Sequence, residues 1–292
     1  MAITEHQEKE RARPAPRRAR RLRWINRRPD RTGAFFLALL PFALAVVAYA
    51  IASDIRLTAN PADKLLPAFS SLFEGFQRMA LTPDPRSGDY LMLSDTLASL
   101  QRLLAALCIA TVVGLVAGLI LGLVPVAGIT FGPFVAVVSM VPPLALLPIL
   151  FILLGLGEAS KITLIAIGIT PFLIRDLQGR TQELPGEQLI KAQTLGGSTF
   201  SIALRITLPQ LLPRLIDALR LSLGPAWLFL IAAEAIASES GLGYRIFLVR
   251  RYLSMDVILP YVAWITLIAF ALDRLLLVAQ RRLFPWFGAR AA

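Results

Sequence analysis

The sequence predicts an all-α, polytopic membrane protein with about six transmembrane helices. Hydrophobic residues make up 56% of the 292-residue chain and its mean hydropathy is +0.66, which is too apolar for a soluble domain. Uncharged runs recur at about the 20-residue length that an α-helix needs to cross a bilayer. No residue from Leu103 to Gly157 is charged, and a run of that length must contain two spans.

The six spans are placed from these runs and from the turn residues between them. They are expected at about residues 33–53, 96–124, 129–154, 161–174, 215–237 and 257–277. Pro125, Gly128 and Pro133 indicate the turn between the second and third spans. The connection after the first span contains a predicted amphipathic helix at 65–79, which we expect to lie at the membrane interface.

The basic residues predict the orientation of the chain. Residues 1–32 carry eleven basic and four acidic side chains, which predicts a disordered basic cytoplasmic arm. Counting the connections on each side of the six spans gives twenty basic residues on the side of the two termini and eight on the other side. This asymmetry predicts cytoplasmic N- and C-termini, and it explains the net charge of +11 better than a nucleic-acid partner does.

The segment 182–213 is polar although hydrophobic spans flank it. Pro185 suits a first helical turn, and Gly196 with Gly197 is expected to end the helix that follows. The apolar positions of this helix recur every three residues and form one short stripe: Leu189, Ala192 and Leu195. A second helical run is expected to end at the Leu208–Pro209 pair. The pattern indicates a surface element that docks a soluble partner.

This segment resembles the cytoplasmic coupling loop of ATP-binding-cassette importer permeases. The loop's pattern is Glu-Ala-Ala, three residues, Gly, nine residues and Ile-x-Leu-Pro, and it is matched here by Ala192, Gly196, Ile206, Leu208 and Pro209. Ile190 and Lys191 depart from its first two positions, which leaves Glu187 as the acidic residue that could substitute. The alternative is an ordinary loop between helices with a chance Gly and Leu-Pro.

A second resemblance lies at 141–162. The runs Pro-Pro-Leu-Ala-Leu-Leu-Pro and Gly-Leu-Gly-Glu-Ala-Ser-Lys are similar to segments of the permease subgroup that handles nitrate, taurine, aliphatic sulfonates and bicarbonate. Proline inside a span removes a backbone hydrogen bond and bends the helix. Pro142 and Pro143 are therefore candidates for the translocation pathway, with a plain structural kink as the alternative.

Two further sets of residues are singled out within the spans. Glu234 lies in the fifth span, where an acid is costly unless it is paired or hydrated, so it is a pathway candidate. It could equally reach the interface or cap the turn at 238–244. Three glycines at four-residue intervals share one helix face, which predicts close helix packing: Gly114, Gly118 and Gly122.

The sequence offers no catalytic constellation. It contains no phosphate-binding glycine loop, its one histidine is His6 in the arm, and its one cysteine, Cys108, lies in an apolar span. We therefore expect no catalytic residue, no metal and no cofactor in this chain. The expected role is that of a transport subunit, not an enzyme.

The resemblance implies a homodimer in the bacterial inner membrane that works with a separate ATPase and a periplasmic solute-binding protein. It divides the chain into the arm, a first span with a periplasmic connection (33–95), a permease domain (96–286) with coupling loop 182–213, and a short tail (287–292). The implied substrate is a small polar solute of the taurine, sulfonate or nitrate type. Residues 250–261 instead resemble guanidine- or urea-related permeases. An ATP-independent transporter or channel and a membrane enzyme are the alternatives from other classes.

Overall fold

The computed structural model describes residues 29–61, 63–85 and 88–288. Most of the predicted arm and the last four residues of the tail therefore lie outside the described residues. The chain divides into two units, residues 1–52 and 53–292. The first contributes the beginning of one long helix, and the second carries the remaining helices. The described residues include no β-strand.

The helices are named in chain order. They are α1 (Arg31–Ala59), α2 (Phe69–Ala80), α3 (Leu91–Leu123), α4 (Pro125–Val138), α5 (Leu147–Leu154), α6 (Glu158–Gln182), α7 (Gly186–Thr194), α8 (Thr199–Ile202), α9 (Leu208–Ala237), α10 (Leu242–Arg250), α11 (Met255–Leu283) and α12 (Pro285–Gly288). A 3₁₀ turn, Pro143–Leu146, precedes α5, and a π-helical turn, Ala203–Thr207, joins α8 to α9.

The prediction of an all-α membrane protein is confirmed. Within the described residues five helical segments are long and apolar enough to cross a bilayer, namely α1, α3, α6, the run Thr199–Ala237 and α11. The pair formed by α4 and the segment Pro143–Leu154 makes a sixth if it is counted as one span bent by 80°. The predicted third span is thus broken at the Pro142–Pro143 step.

Several predicted boundaries are wrong because proline does not end these helices. Pro125 occupies the first turn of α4, where its missing N–H costs nothing, so the turn after α3 shrinks to Val124. Pro133 lies inside α4, and Pro171 lies inside α6. Neighbouring helices can satisfy the carbonyl groups that such prolines free. The fourth span consequently continues to Gln182, well past its predicted end at residue 174.

The three glycines of α3 face one neighbouring helix. A Cβ on Gly114 would lie 2.8 Å from Cβ of Leu173, and one on Gly118 would lie 2.6 Å from Cβ of Leu177. Both distances are too short for any side chain, so α3 and α6 approach closely along this face. Around them, α3, α6, α9 and α11 build the main hydrophobic core, whose largest fully buried side chains include Tyr261.

The predicted amphipathic helix at 65–79 corresponds to α2, which is shorter and is packed against protein. Gly75 of α2 lies against the backbone carbonyl of Asp256, at the start of α11, and leaves no room for a Cβ. NH2 of Arg78 donates to Oδ2 of Asp256 at 2.6 Å. Helix α2 is thereby fixed to α11, and its place at the membrane interface stays a prediction.

Candidate functional site

The first candidate site is the segment after α6, which contains α7. Helix α7 ends where the N–H of Gly196 bonds to the carbonyl of Gln193 and the N–H of Gly197 bonds to the carbonyl of Ala192, each at 2.9 Å. Gly196 has φ of 82°, a left-handed conformation that glycine adopts without strain. Together these bonds form a Schellman ending. The prediction that the glycine pair ends this helix is confirmed.

The apolar stripe predicted on α7 does not form one exposed face. Leu189 borders a cavity of about 250 Å³ that Val124, Pro125 and Ile202 also line. Ala192 is half-buried, whereas Leu195 is 88% exposed. Leu189 therefore lies toward the end of α3 and the start of α4, whereas Leu195 points away from the protein. The exposed large apolar side chains between α6 and α9 are Ile190, Leu195, Phe200 and Leu204.

The Leu208–Pro209 pair does not end a helix, contrary to the sequence prediction. The helical run is continuous from Thr199 to Ala237, and Pro209 lies in the first turn of α9. The N–H of Leu208 reaches back to the carbonyl of Ala203, which is the wider bonding of a π turn. Ile206 lies in this turn. The segment that connects α6 to the run beginning at Thr199 is therefore shorter than the predicted loop 182–213.

Glu187 is exposed in the first turn of α7, and it makes no ion pair among those found in the described part of the chain. Its neighbour Gln188 accepts a hydrogen bond from Nε2 of Gln210 at 3.2 Å, which ties α7 to α9. Helix α7 is thus held on its inner side while its acidic and apolar outer side chains stay open to a partner.

The second candidate site is a group of ionised side chains at the opposite end of α6. Arg102 of α3 is at its centre: NH1 donates to Oε1 of Glu234 at 2.6 Å, and NH2 donates to Oε1 of Glu158 at 2.9 Å. Nε of Arg102 also donates to Glu158. Two further bonds from Arg102 reach Oγ and the carbonyl oxygen of Ser240. Nζ of Lys161 lies 3.0 Å from Oε1 of Glu158.

A third carboxylate, that of Asp95, extends this group. It accepts hydrogen bonds from Nε of Arg245 at 2.8 Å, from the hydroxyl of Tyr261 at 3.1 Å and from the N–H of Gly241 at 3.0 Å. We call the following residues the Arg102 cluster: Asp95, Ser99, Arg102, Glu158, Lys161, Glu234 and Arg245.

The Arg102 cluster is electrically balanced. Its cations Arg102, Lys161 and Arg245 match its acids Asp95, Glu158 and Glu234 in number. Buried ions are tolerated when they are paired and hydrogen-bonded in this way. Because its members come from α3, α6, α9 and α10, the cluster holds together the ends of four helices.

Glu234 was predicted to line the pathway, to reach the interface or to cap a nearby turn. Its side chain is fully buried, and its Oε2 accepts the N–H of Gly243 in the first turn of α10 at 2.9 Å. Ser99 donates to the same carboxylate at 2.8 Å. In this conformation Glu234 caps the first turn of α10. Pro142 is exposed at the bend before α5, and Pro143 opens the 3₁₀ turn that follows.

Sequence reasoning missed most of the Arg102 cluster. A signal existed, since Asp95 and Arg102 are seven residues apart on a helix with no other charged residue and therefore share a face. An ionisable pair of this kind within a span indicates buried partners. Which acids complete the cluster depends on contacts between residues far apart in the chain, such as Arg102 with Glu158, 56 positions away, and with Glu234, 132 positions away.

Comparison with known proteins identifies the family of the chain. Residues 110–288 match the model of the family described as binding-protein-dependent transport system inner membrane component. The chain is 38% identical over 192 residues to the taurine transport system permease protein TauC of Escherichia coli (strain K12), covering 65% of this chain and 70% of that one. It is 29% identical over 192 residues to the bicarbonate transport system permease protein CmpB of Synechocystis, covering 65% and 68% of the two chains.

A shorter match, 34% identical over 119 residues, is to the putative aliphatic sulfonates transport permease protein SsuC of Escherichia coli (strain K12), over 40% of this chain and 45% of that one. Among solved structures, an inward-facing form of the MetNI methionine transporter aligns with a TM-score of 0.55 at 20% identity, covering 65% of this chain and 96% of that chain. That likeness concerns the fold. The chain belongs to the binding-protein-dependent transport system inner membrane component family and is an ATP-binding-cassette transporter permease.

Proposed function

We propose that this chain is the membrane-spanning subunit of an importer that moves a small oxyanionic solute into the cytoplasm. ATP hydrolysis on a separate subunit drives the transport, and a periplasmic solute-binding protein delivers the solute. Two copies of the chain enclose the pathway within the lipid bilayer. Both termini and the connection between α6 and α9 lie in the cytoplasm, in keeping with the distribution of basic residues.

The observation that carries this proposal is the geometry of α7. The helix is tied to α9 through Gln210, whereas Leu195 is 88% and Ile190 is 61% exposed. Exposed apolar side chains on a short helix of this kind suit insertion into a groove of a partner protein. A push on α7 would travel directly into the continuous helical run Thr199–Ala237, since only the residues 195–198 separate them.

The coupling surface proposed here contains the residues of the family's loop pattern together with Glu187 and the stripe residues Leu189 and Leu195. Its members are Glu187, Leu189, Ala192, Leu195, Gly196, Ile206, Leu208 and Pro209. Leu195 and Glu187 would contact the ATPase directly. Leu189 would instead transmit the contact to the end of α3 and the start of α4, with which it lines a cavity. For the pathway we propose the bend at Pro142 and Pro143, with Glu234 acting through the helix ends that it holds.

The substrate class is proposed from the relatives. Taurine and aliphatic sulfonates carry a sulfonate group, and bicarbonate is also an oxyanion, so a small oxyanion is the chemistry that these relatives share. Nitrate belongs to the same class. A guanidine- or urea-type solute is the second candidate, and it rests on the run 250–261 alone.

The test is reconstitution of the complete transporter in proteoliposomes with its ATPase and binding protein. Uptake of labelled taurine or an alkanesulfonate should require ATP on the side of the vesicle membrane where the ATPase is bound. It should stop when the ATPase is inactivated. Guanidine uptake under the same conditions would instead support the second candidate. Uptake that continues without ATP would contradict the importer mechanism and favour a secondary transporter.

A further inference from the structure

A cavity of about 500 Å³ opens beside the Arg102 cluster. The side chains of Arg102 and Lys161 border it although they are only 5% and 4% exposed. Ser238 and Ser240 add hydroxyl groups to its polar side, and the exposed Glu239 also lines it. A cavity of this size is in the range of small-molecule sites, and polar groups that converge on such a cavity fix the orientation of a ligand.

Glu158 is the acid that both buried cations share at the cavity. Its carboxylate accepts from Nε and NH2 of Arg102 and from Nζ of Lys161. Its side chain is nevertheless 57% exposed, in contrast with the fully buried Glu234. Each cation also keeps a second partner, because Arg102 holds Glu234 and Lys161 donates to Ser238 at 3.2 Å.

The two carboxylates around Arg102 are therefore unequal. Glu234 is fixed by Ser99 and by the N–H of Gly243. The described residues give Glu158 no hydrogen-bond donors other than the two cations. Glu158 is also the first residue of α6, where its side chain borders the cavity and is already more than half exposed. Its side chain can turn into water without disturbing packed neighbours.

We propose that this cavity binds a small oxyanion, the sulfonate or carboxylate group of the transported solute, on Arg102 and Lys161 in the place of Glu158. The guanidinium edge and the ammonium that now hold a carboxylate would hold two oxygen atoms of the solute in the same way. The exchange leaves no buried charge unpaired, because one anion replaces another while Glu158 moves into solvent. This inference rests on the proposed function, and it adds the residues that recognise the solute's charge.

Competition by Glu158 has a measurable consequence. The bound anion must displace a carboxylate that is tethered next to the cations, so removing that carboxylate strengthens binding. A purely structural role for Glu158 makes the opposite prediction, since its loss would then only loosen the helix ends. The direction of the change in affinity therefore distinguishes a site from a structural ion pair.

The experiment measures equilibrium binding of radiolabelled ethanesulfonate to the full-length protein in phosphatidylcholine nanodiscs. Glu158→Gln is expected to bind at least about fivefold more tightly than wild type. Lys161→Gln is expected to bind at least about tenfold more weakly, because a charge-assisted hydrogen bond is lost. Asp273→Asn is the matched control. Oδ1 of Asp273 lies 2.8 Å from Nε of Arg220, and neither residue lines the cavity. Loss of this carboxylate should leave binding unchanged.

The proposal is overturned by the absence of saturable binding to wild type, or by binding to Glu158→Gln that is unchanged or weaker than to wild type. If Glu158→Gln fails to assemble, the comparison of wild type with Lys161→Gln still tests the proposal. Equal ethanesulfonate binding by these two proteins contradicts the site. A second set of nanodiscs that also contain phosphatidylglycerol tests whether the cations bind a lipid headgroup instead of the solute. Loss of ethanesulfonate binding in these nanodiscs would assign the cations to the lipid headgroup and overturn the solute assignment.

Taurine uptake by the complete transporter separates this inference from the proposed function. Uptake by wild type combined with ethanesulfonate binding that is insensitive to Glu158 would overturn the site and leave the importer function intact. Ethanesulfonate binding that is sensitive to Glu158 without uptake of any sulfonate would overturn the proposed substrate.

Discussion

Glu234 and Arg102 form a buried ion pair in which Oε1 of the acid lies 2.6 Å from NH1 of the base. The carboxylate of Glu234 also accepts the N–H of Gly243, at the start of α10. One side chain therefore joins α3, α9 and α10. Charges at such a depth are retained only when each has a partner, so this pair is a point at which the positions of three helices depend on one another.

We expect Glu234→Gln to destabilise the folded protein by about 1.5–3 kcal/mol, because Arg102 loses its fully buried charged partner and keeps only the partly exposed Glu158. The measurement is denaturant or thermal unfolding of the protein in detergent. Asp273→Asn removes a carboxylate from Arg220 where both side chains are partly exposed, at 24% and 30%, and its effect should be clearly smaller. Equal losses for the two variants would contradict the special importance of the buried pair.

Gly118→Leu should prevent close packing of α3 on α6. Even a Cβ at this position would lie 2.6 Å from Cβ of Leu177 and 3.1 Å from the carbonyl oxygen of Ile174. We expect loss of the folded protein, measured as the monodisperse fraction in fluorescence-detected size-exclusion chromatography. Val116→Leu adds a side chain of the same final size on the same helix at a position that is 53% exposed, and it should be tolerated. Similar chromatograms for both variants would remove the packing argument.

Leu195→Asp should weaken docking of the ATPase while leaving the fold unchanged. Leu195 is 88% exposed, so the free protein tolerates a carboxylate there, whereas burial of an unpaired charge in a protein contact costs several kcal/mol. The measurement is capture of the ATPase by the tagged protein in detergent, together with ATP hydrolysis in proteoliposomes. Leu81→Asp makes the same change at a 64% exposed position after α2 and should behave like wild type. Undiminished capture by Leu195→Asp would contradict the coupling assignment.

The proposed orientation places α2 and the end of α6 on opposite sides of the membrane. Single cysteines at Ser70 and Gln182, both exposed, should react with a membrane-impermeant maleimide from opposite sides. The background is Cys108→Ala, which removes the one native thiol. The readout is labelling of intact cells against inverted vesicles. Labelling of both positions in intact cells would contradict the prediction drawn from the basic residues.

The sequence determined the class of the protein and the glycine-based features of its fold. Apolar runs of bilayer length gave the all-α membrane class, since backbone groups in lipid must bond within a helix. Gly196 ended α7 in the left-handed conformation because no other residue adopts it as readily. Gly114 and Gly118 are about one helical turn apart and therefore share a face. The sequence did not show which helix packs against that face, and the structure identifies it as α6.

The helix ends and the ion pairs were decided by tertiary structure. Three prolines that locally disfavour a helix nevertheless lie within helical runs: Pro133, Pro171 and Pro209. Pro209 follows a π turn and occupies a first helical turn, where its missing N–H costs nothing. For Pro133 and Pro171, neighbouring helices can satisfy the carbonyl groups that are freed. The chain order says nothing about which acid neutralises Arg102. That depends on the packing that brings α3, α6 and α9 together at one end, where burial makes pairing obligatory for every charge.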